Sequence, residues 1–398
     1  MKSDFFLEAL QGNDSLIPVR AESLIVAQNP GMAVVASSGL DLDEYERLGH
    51  CECSEIPDPR PLKTASWGGE DADQLYERDY QIVYEVRWKS KTLQVIHLTW
   101  ETGCGNNSFD WVVAESDALA REFILDVERV TNAPGEAIMV FSNGYWDRSR
   151  RLFRAIQEAS FDDLVLADDL KSTIRKDFKQ FLDSQERYAE LGISWRRGAL
   201  LIGPPGNGKT HCVKALVKEL NVPILYVLSL SHPHYTSQQL WQMVFERARK
   251  LRPCVLVLED LDSLVNNQNR SFFLNQLDGF QKNHGLIVLA TTNHPDRIDT
   301  AIIDRPSRFD RKYHFELPSA DERMVFLEDW QRKLSKELSW SSEQMEAVVA
   351  ATENFSFAYL KELIVSALMK WIHDQSAEFE KHILDQAAFL SEQMKTEK

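Results

Sequence analysis

The sequence has few cysteines and no long apolar run. Five cysteines among 398 residues are too few for the disulfide framework of a secreted protein. No stretch reaches the roughly 18 consecutive apolar residues that a membrane-spanning helix needs, and no secretory signal pattern is visible. We therefore expect a soluble chain in the reducing environment of the cytoplasm, with no membrane partner.

Basic charge is also scarce. Lysine and arginine total 45 against 61 aspartate and glutamate residues, which gives a net charge of −16. Phosphate backbones and anionic lipids repel such a protein, so the composition disfavours nucleic acid as a partner. Cys51 and Cys53 stand two apart without further ligands at zinc-site spacing, and we interpret them as free structural thiols.

The length and a hydrophobic content of 43% favour more than one folded domain. Residues 1–145 contain two strand-like runs, Ile82–Trp88 and Leu93–Trp100, which predict a hairpin, and a helical pattern at Ala118–Val130. These patterns predict an N-terminal α+β domain, which a linker helix at 146–159 joins to the rest. Its tryptophans fit a binding face or a buried core equally well.

One glycine-rich run has the pattern of a phosphate-binding loop, and we call this run the phosphate loop. It consists of Gly203, Pro204, Pro205, Gly206, Asn207, Gly208, Lys209 and Thr210. An apolar strand precedes the run and a helical pattern beginning at His211 follows it, which is the order that points helix N–H groups at phosphates. Lys209 supplies charge for the β and γ phosphates, and the Thr210 hydroxyl can ligate Mg²⁺. The run predicts binding of ATP with Mg²⁺, and we include His211 in the nucleotide site.

Polar residues follow two further apolar strands. Glu259 and Asp260 come directly after Val255–Leu258, and Asn293 follows the strand Leu286–Ala290. Buried parallel strands read as unbroken apolar runs, and ligands bind at their carboxyl ends. Position assigns Glu259 to Mg²⁺ and Asp260 to activation of a water molecule, while Asn293 can orient that water. By itself, the acidic pair would also fit an exposed turn after a core strand.

The C-terminal part is predicted to be helical. Ser319 and Glu322 form a capping-box pattern just after Pro318. Helical periodicity then recurs at 342–353, 356–372 and 378–396. These patterns predict a small all-α domain over residues 318–398.

The ordered series of motifs resembles the AAA family of ATPases over about residues 160–375. The resemblance implies an α/β P-loop NTPase fold, with a parallel sheet between helices over residues 160–317 and a helical lid over 318–398. Within the family, the stretch 188–198 and the order of the acidic pair look most like the AAA proteins that assemble mitochondrial respiratory complex III. Assembly into a homo-oligomeric ring is a further implication.

The same resemblance implies roles for single residues. Asp163 and Leu164 match the segment whose backbone borders the adenine, and Ala358 lies where members close on the nucleotide. Arg305 and Arg308 match paired arginine fingers, which stabilise the transition-state charge of phosphoryl transfer in the neighbouring subunit. Lys209, Glu259, Asp260 and Asn293, the polar sensor, complete the implied catalytic set.

Two departures from the family pattern leave the function open. Most members carry aspartate before glutamate, whereas here Asp260 takes the second position, and its shorter side chain predicts slow hydrolysis. The aromatic pore loop of threading unfoldases is missing, and Tyr235 either grips a substrate or packs locally. We expect a protein-remodelling ATPase whose N-terminal domain selects a protein client. The alternative is an ATP-dependent oligomeric switch or scaffold with slow hydrolysis.

Overall fold

A computed structural model describes the chain in two compact units, Met1–Gly135 and Glu136–Lys398. The described residues are 4–67, 75–102, 105–133, 135–166, 168–278, 283–303, 305, 308–334, 338, 340–373 and 379–396. The division falls ten residues before the predicted boundary at 145, because the strands that follow Gly135 pair with the sheet of the second unit.

The first unit is an antiparallel sheet with helices. Its strands are β1 (Ala33–Ser37), β2 (Glu52–Glu55), β3 (Leu62–Trp67), β4 (Leu75–Trp88), β5 (Lys91–Thr102) and β6 (Gly105–Ala114), in the order β1-β6-β5-β4-β2 with β3 paired to β4. Its helices are α1 (Phe5–Ala9), α2 (Ile17–Gln28), α3 (Leu42–Arg47) and α4 (Asp117–Thr131). The predicted α+β class of this unit is confirmed.

The predicted hairpin is β4 and β5. Lys89 and Ser90 connect the strands with φ values of 45° and 61°, the left-handed conformations that a two-residue hairpin turn requires. Helix α4 agrees with its prediction to within one residue at each end. Trp88, Trp100 and Trp111 are buried, so these three tryptophans belong to the core rather than to a binding face.

A half-buried histidine pairs with a buried carboxylate across this sheet. His97 on β5 lies opposite Asp110 on β6, with 2.7 Å between Nδ1 and Oδ1. The other ring nitrogen lies 3.0 Å from Oγ1 of Thr99, and Asp110 also accepts the backbone N–H of Leu40. Burial lowers the pKa of His97, but the hydrogen bond and charge of Asp110, aided by Asp79 and Asp43, raise it above its ordinary value.

This pair predicts a pH dependence of stability. Because the folded state raises the pKa of His97, its contribution is complete below about pH 6.5 and is lost as the pH rises through the folded pKa. We expect the unfolding free energy of the first unit to fall by on the order of 1 kcal/mol over that rise. Thermal unfolding of the full chain, followed by tryptophan fluorescence between pH 6 and 9, measures it. His97→Gln should flatten the profile, and an unchanged profile would contradict the assignment.

The second unit contains a seven-stranded sheet. Its strands are β7 (Ile138–Ser142), β8 (Tyr145–Ser149), β9 (Arg196–Ile202), β10 (Ile224–Val227), β11 (Cys254–Leu258), β12 (Leu286–Thr292) and β13 (Arg311–His314), in the order β13-β9-β12-β11-β10-β7-β8. All neighbours are parallel except β7 and β8. The accompanying helices are α5 (Arg150–Gln157), α6 (Asp168–Asp183), α7 (Gln185–Glu190), α8 (Lys209–Leu220), α9 (Ser237–Lys250), α10 (Leu261–Leu264), α11 (Arg270–Asp278) and α12 (Thr300–Ile303). The predicted α/β fold class is confirmed.

The linker prediction differs from the structure. A helix was expected over 146–159, but the chain stays extended in β8 to Ser149, whose side chain then caps α5. Asn143 and Gly144 have φ values of 51° and 82°, and such an Asn-Gly pair is a strong hairpin signal. The rings of Phe141 and Trp146 pack across this hairpin at 4.9 Å. These residues therefore extend the sheet instead of linking two domains.

The C-terminal helices pack around a core of their own. They are α13 (Ala320–Lys333), α14 (Ser342–Ala351), α15 (Phe357–His373) and α16 (Phe379–Thr396). The predicted capping box is present, since Ser319 Oγ accepts from the Glu322 N–H and Glu322 Oε2 accepts from the Ser319 N–H. The predicted all-α lid is confirmed. Of the helices described, none combines the length and apolarity that a bilayer span requires.

Candidate functional site

The phosphate loop leaves the carboxyl end of β9 and is packed against the lid. Gly206 has a φ of 79°, and a Cβ there would lie 2.7 Å from both Ser356 Oγ and Ala358 Cβ. The backbone N–H of Ala358 donates to the carbonyl of Gly206 at 3.0 Å. Only glycine fits at such a close approach, so the structure brings Ala358 to the loop.

Residues 160–164, which precede β9, contact the other side of the phosphate loop. A Cβ on Gly208 would lie 2.9 Å from Cδ2 of Leu164. The Nε2 atom of His211, in the first turn of α8, lies 2.9 Å from the carbonyl oxygen of Ser160. Asp163 is exposed beside the buried Leu164. The segment around Leu164, the loop and the lid therefore meet at the N-terminus of α8.

Lys209 is the first residue of α8 and is 6% exposed. Its Nζ donates to the carbonyls of Gly203 at 2.7 Å and Pro204 at 2.8 Å. Burial lowers the pKa of Lys209, against the opposing charges of Asp260 and Asp262. The ammonium group thus lies within the loop and close to the acidic end of β11.

Asp260 and Asn293 are in direct contact. Asn293 Nδ2 donates to Asp260 Oδ1 at 2.9 Å, and the Asp260 N–H donates to Thr291 Oγ1 at 3.1 Å. Asp260 is exposed and has left-handed backbone angles, φ 49° and ψ 57°. Backbone strain of this kind in a residue other than glycine concentrates at functional sites. The carboxylate is therefore held in a defined place beside the sensor amide.

Glu259 differs from its neighbour in its surroundings. It is half-buried, and its Oε1 has no hydrogen-bond partner among the residues that the structure describes. Burial, followed by the charge of Glu259, raises the pKa of Tyr226 on β10. A carboxylate oxygen without a partner, together with the exposed Thr210 hydroxyl, fits Mg²⁺, which takes one or two protein ligands plus phosphate oxygens.

Asn207 is a second buried polar group in the loop. It is 1% exposed, and neither its Oδ1 nor its Nδ2 has a partner within the described ranges. Buried amides usually find partners, so this side chain fits the expectation that the loop binds a polar ligand. The same ranges hold no cluster of three or more histidine, cysteine, aspartate or glutamate residues suited to a metal ion.

The two predicted arginine fingers are in different environments. Arg305 is exposed, with its side chain at 65%. Arg308 is buried, and its guanidinium group forms a bidentate pair with Asp278 of the same chain. The resemblance implied that both arginines act on a neighbouring subunit, but in this structure only the Arg305 side chain is exposed, at 65% against 5% for Arg308.

The segment after β10 packs locally. Tyr235 lies 4.5 Å from the ring of His232, and its N–H donates to His232 Nδ1 at 3.2 Å. A Cβ on Gly144 would lie 3.0 Å from His232, so the β7–β8 turn packs closely against His232 and Tyr235. These contacts favour local packing of Tyr235 over a role in gripping a substrate. A cleft of about 370 Å³ is lined by residues 227–231, the acidic pair, Ser263, Leu264, Asn266 and Asn269.

Sequence reasoning missed three residues near the site. Asp262 accepts from Thr292 Oγ1 at 2.7 Å, the charge of Glu259 raises the pKa of Tyr226, and Asp278 binds Arg308. The run Glu259, Asp260, Leu261, Asp262 was a usable signal for the first of these. No local pattern marked the other two, since each acts on a partner far along the chain.

Comparison with known proteins agrees with this geometry. Residues 199–317 match the family described as ATPase family associated with various cellular activities (AAA). The chain is similar to the ATP-dependent zinc metalloprotease FtsH of Acidothermus cellulolyticus, 35% identical over 227 residues, which cover 53% of this chain and 33% of that protein. FtsH of Marinobacter nauticus is 30% identical over 259 residues, covering 60% of this chain and 40% of that protein. FtsH 2 of Salinibacter ruber is 33% identical over 229 residues, which cover 54% of this chain and 33% of that protein.

The chain spans a third to two fifths of the length of these relatives. The phosphate loop, the acidic end of β11 and the strand β12 all lie within the residues that match the family. Residues 199–317 therefore form a AAA ATPase domain within an α/β P-loop NTPase fold.

Proposed function

We propose that the chain is a Mg²⁺-dependent ATP hydrolase that works as a protein-remodelling ATPase in a homo-oligomeric ring. The observation that carries the proposal is the hydrogen bond of 2.9 Å between Asn293 and Asp260. It joins the ends of β11 and β12 beside the phosphate loop, where a water attacking the γ-phosphate must be held.

Each site residue has a role in this proposal. Lys209 binds the β and γ phosphates, and the N–H groups of the phosphate loop and of the α8 N-terminus bind their oxygens. Asp260 accepts the proton of the attacking water, which Asn293 orients. Thr210 and Glu259 would hold Mg²⁺, which when bound neutralises charge on the phosphates.

We further propose that the first unit recognises a protein client. It has its own sheet and core, so it can carry a recognition role independent of the nucleotide site. Zinc protease activity belongs by name to the relatives and is not proposed for this chain. Kinship with the complex III assembly proteins and a cytoplasmic location stay predictions.

The alternative function is an ATP-dependent switch or scaffold with slow hydrolysis. The local packing of Tyr235 against His232 favours it, because a gripping residue has to face a central pore. The short side chain of Asp260 also favours it. Stimulation of turnover by a client supports remodelling, whereas near-zero turnover with ATP-dependent assembly supports the switch.

The ring predicts that ATPase activity depends on protein concentration. Specific activity per chain should rise as subunits associate, because Arg305 completes the site of a neighbour. Arg305→Ala should lower turnover with unchanged ATP affinity. Mixing it with Asp260→Asn should restore partial activity, since some interfaces then combine an intact base with an intact arginine.

The matched control is Arg121→Ala, which removes an arginine of similar exposure from the first unit. It should leave turnover unchanged. A specific activity that is independent of concentration, together with no recovery in the mixture, would overturn the ring.

A further inference from the structure

Two cysteine side chains of the first unit are in contact. Cys51 directly precedes β2 and Cys53 lies within it, and their Sγ atoms are 3.7 Å apart. Side chains two residues apart in an extended segment point to the same face of a sheet, which brings both sulfur atoms to one side. Both cysteines are free thiols, and we call them the dithiol pair.

The dithiol pair lies where β2 meets α3. Strand β2 ends the strand order of its sheet, and Cys53 lies opposite Val86 on β4. The Cys53 N–H donates to Oε1 of Glu46 on α3 at 2.6 Å. Cys51 is 8% exposed and packs in the same core as Tyr45, whereas Cys53 is half-buried. A small reagent therefore reaches these sulfur atoms more readily than a large one.

The two thiols differ in acidity. A hydrogen bond from Cys53 stabilises the thiolate of Cys51 and lowers the pKa of Cys51, against burial and the charge of Glu46. The same hydrogen bond, followed by burial and by the charges of Cys51, Glu46 and Asp43, raises the pKa of Cys53. Because the thiolate is the nucleophile of cysteine chemistry, Cys51 is the attacking group and Cys53 is the proton donor beside it.

We propose that the dithiol pair is a redox site, which reduces a small hydroperoxide and closes to a disulfide between Cys51 and Cys53. The inference goes beyond the proposed ATPase, because the pair lies in the first unit and its reaction needs no nucleotide. Closure requires the two sulfur atoms to approach from 3.7 Å to about 2 Å. Cys51 precedes the residues of β2 that pair with β4, so its backbone can adjust without breaking the ladder.

The reaction proceeds in two steps. The Cys51 thiolate attacks one oxygen of the hydroperoxide, an S–O bond forms as the O–O bond breaks, and the leaving oxygen takes up the proton that the thiol released. The sulfur of Cys53 then attacks the Cys51 sulfenic acid, an S–S bond forms as the S–O bond breaks, and the hydroxyl leaves with the Cys53 proton as water. With hydrogen peroxide, two thiols lose two electrons and two protons, and two water molecules form.

The disulfide is expected to be reversible and to add little stability. Its ring contains only Glu52 between the two cysteines, and the stabilisation from a disulfide grows with the length of the loop that it closes. A reductant can attack the half-buried Cys53 sulfur, and the lower pKa of Cys51 makes that thiolate the better leaving group. These properties favour a redox site over a structural crosslink.

The test treats the full chain with hydrogen peroxide and maps the products by mass spectrometry after alkylation and digestion with trypsin. Every protein carries Cys104→Ser, because Cys104 lies outside the described residues. Trypsin releases the dithiol pair in one fragment, residues 48–63, which contains no other cysteine. The comparison includes Cys51→Ser, Cys53→Ser and, as the matched control, Cys254→Ser. Burial raises the pKa of Cys254 to about 12, so that thiol is unreactive at neutral pH.

With both cysteines present, we expect fragment 48–63 to lose two hydrogen atoms and to resist alkylation until dithiothreitol reduces it in the folded protein. Cys53→Ser should stop at the Cys51 sulfenic acid, which dimedone traps. Cys51→Ser should react with peroxide at least tenfold more slowly than Cys53→Ser, because it lacks the more acidic thiol. Cys254→Ser should leave the rate of disulfide formation unchanged.

Two results would overturn the inference. If fragment 48–63 stays reduced, or gains only oxygen, under peroxide that oxidises free cysteine in the same solution, the dithiol pair is not a redox site. If Cys51→Ser reacts as fast as Cys53→Ser, Cys51 is not the nucleophile. The mapping of the unsubstituted pair decides even where a serine variant fails to fold. ATP turnover is not a readout, so failure of the ATPase proposal would leave this test intact.

Discussion

Lys209→Ala is expected to abolish ATP binding, with a loss of affinity of at least about 100-fold, which corresponds to roughly 2.7 kcal/mol. Lys209 lies inside the loop, where its Nζ contacts the carbonyls of Gly203 and Pro204. Its position at the start of α8 lets the ammonium turn from these carbonyls to the β and γ phosphates. Titration of a fluorescent ATP analogue or calorimetry measures the affinity.

Lys214→Ala is the matched control for this prediction. It removes a lysine from the same helix, five positions farther from the phosphate loop, and should leave affinity within threefold of wild type. Circular dichroism should show the same helix content in both variants. Tight ATP binding by a folded Lys209→Ala protein would refute the phosphate-loop assignment.

Asp260→Asn is expected to bind ATP normally and to lower turnover at least about 100-fold, the scale of a general base. The amide oxygen can still accept from Asn293, and asparagine tolerates the left-handed backbone of position 260. What is lost is the capacity to take a proton from water. Single-turnover hydrolysis with saturating ATP and Mg²⁺ separates this step from binding.

Two neighbouring carboxylates provide the comparison. Glu259→Gln should weaken Mg²⁺-dependent binding or catalysis, because it removes the negative charge of the carboxylate. The Oε1 atom of that carboxylate has no hydrogen-bond partner in the described part of the chain. Asp262→Asn should change turnover less than tenfold, since an amide oxygen can still accept from Thr292. Trapping of unhydrolysed ATP by Glu259→Gln, with turnover preserved in Asp260→Asn, would reverse the two roles.

The structure brings several of the predicted site residues into proximity. Lys209, Asp260 and Asn293 follow three separate strands of the sequence, and they converge because those strands are parallel and adjacent in one sheet. Ala358 reaches the same place from the lid through its hydrogen bond to Gly206. Their catalytic roles stay predictions until the variants are measured.

Local patterns were sufficient for what depends on neighbouring residues. The phosphate loop, the apolar strands β9, β11 and β12, the capping box at Ser319 and the lid helices were all predicted from the sequence by itself. Each of these features is encoded by residues that lie close together in the sequence, through the spacing of apolar residues, turn residues or capping residues. The α/β fold class was implied by the family resemblance that these motifs carry.

Long-range packing decided the rest. The hairpin of β7 and β8 joins the ATPase sheet because β7 pairs with β10, which lies more than 80 residues farther along the chain. The ion pair that separates the environments of Arg308 and Arg305 joins residues 30 positions apart. Sequence by itself determined the phosphate loop and the polar residues that follow β11 and β12. Only the tertiary structure decided which of them are buried, paired or exposed, because burial and ion pairing depend on contacts between distant segments.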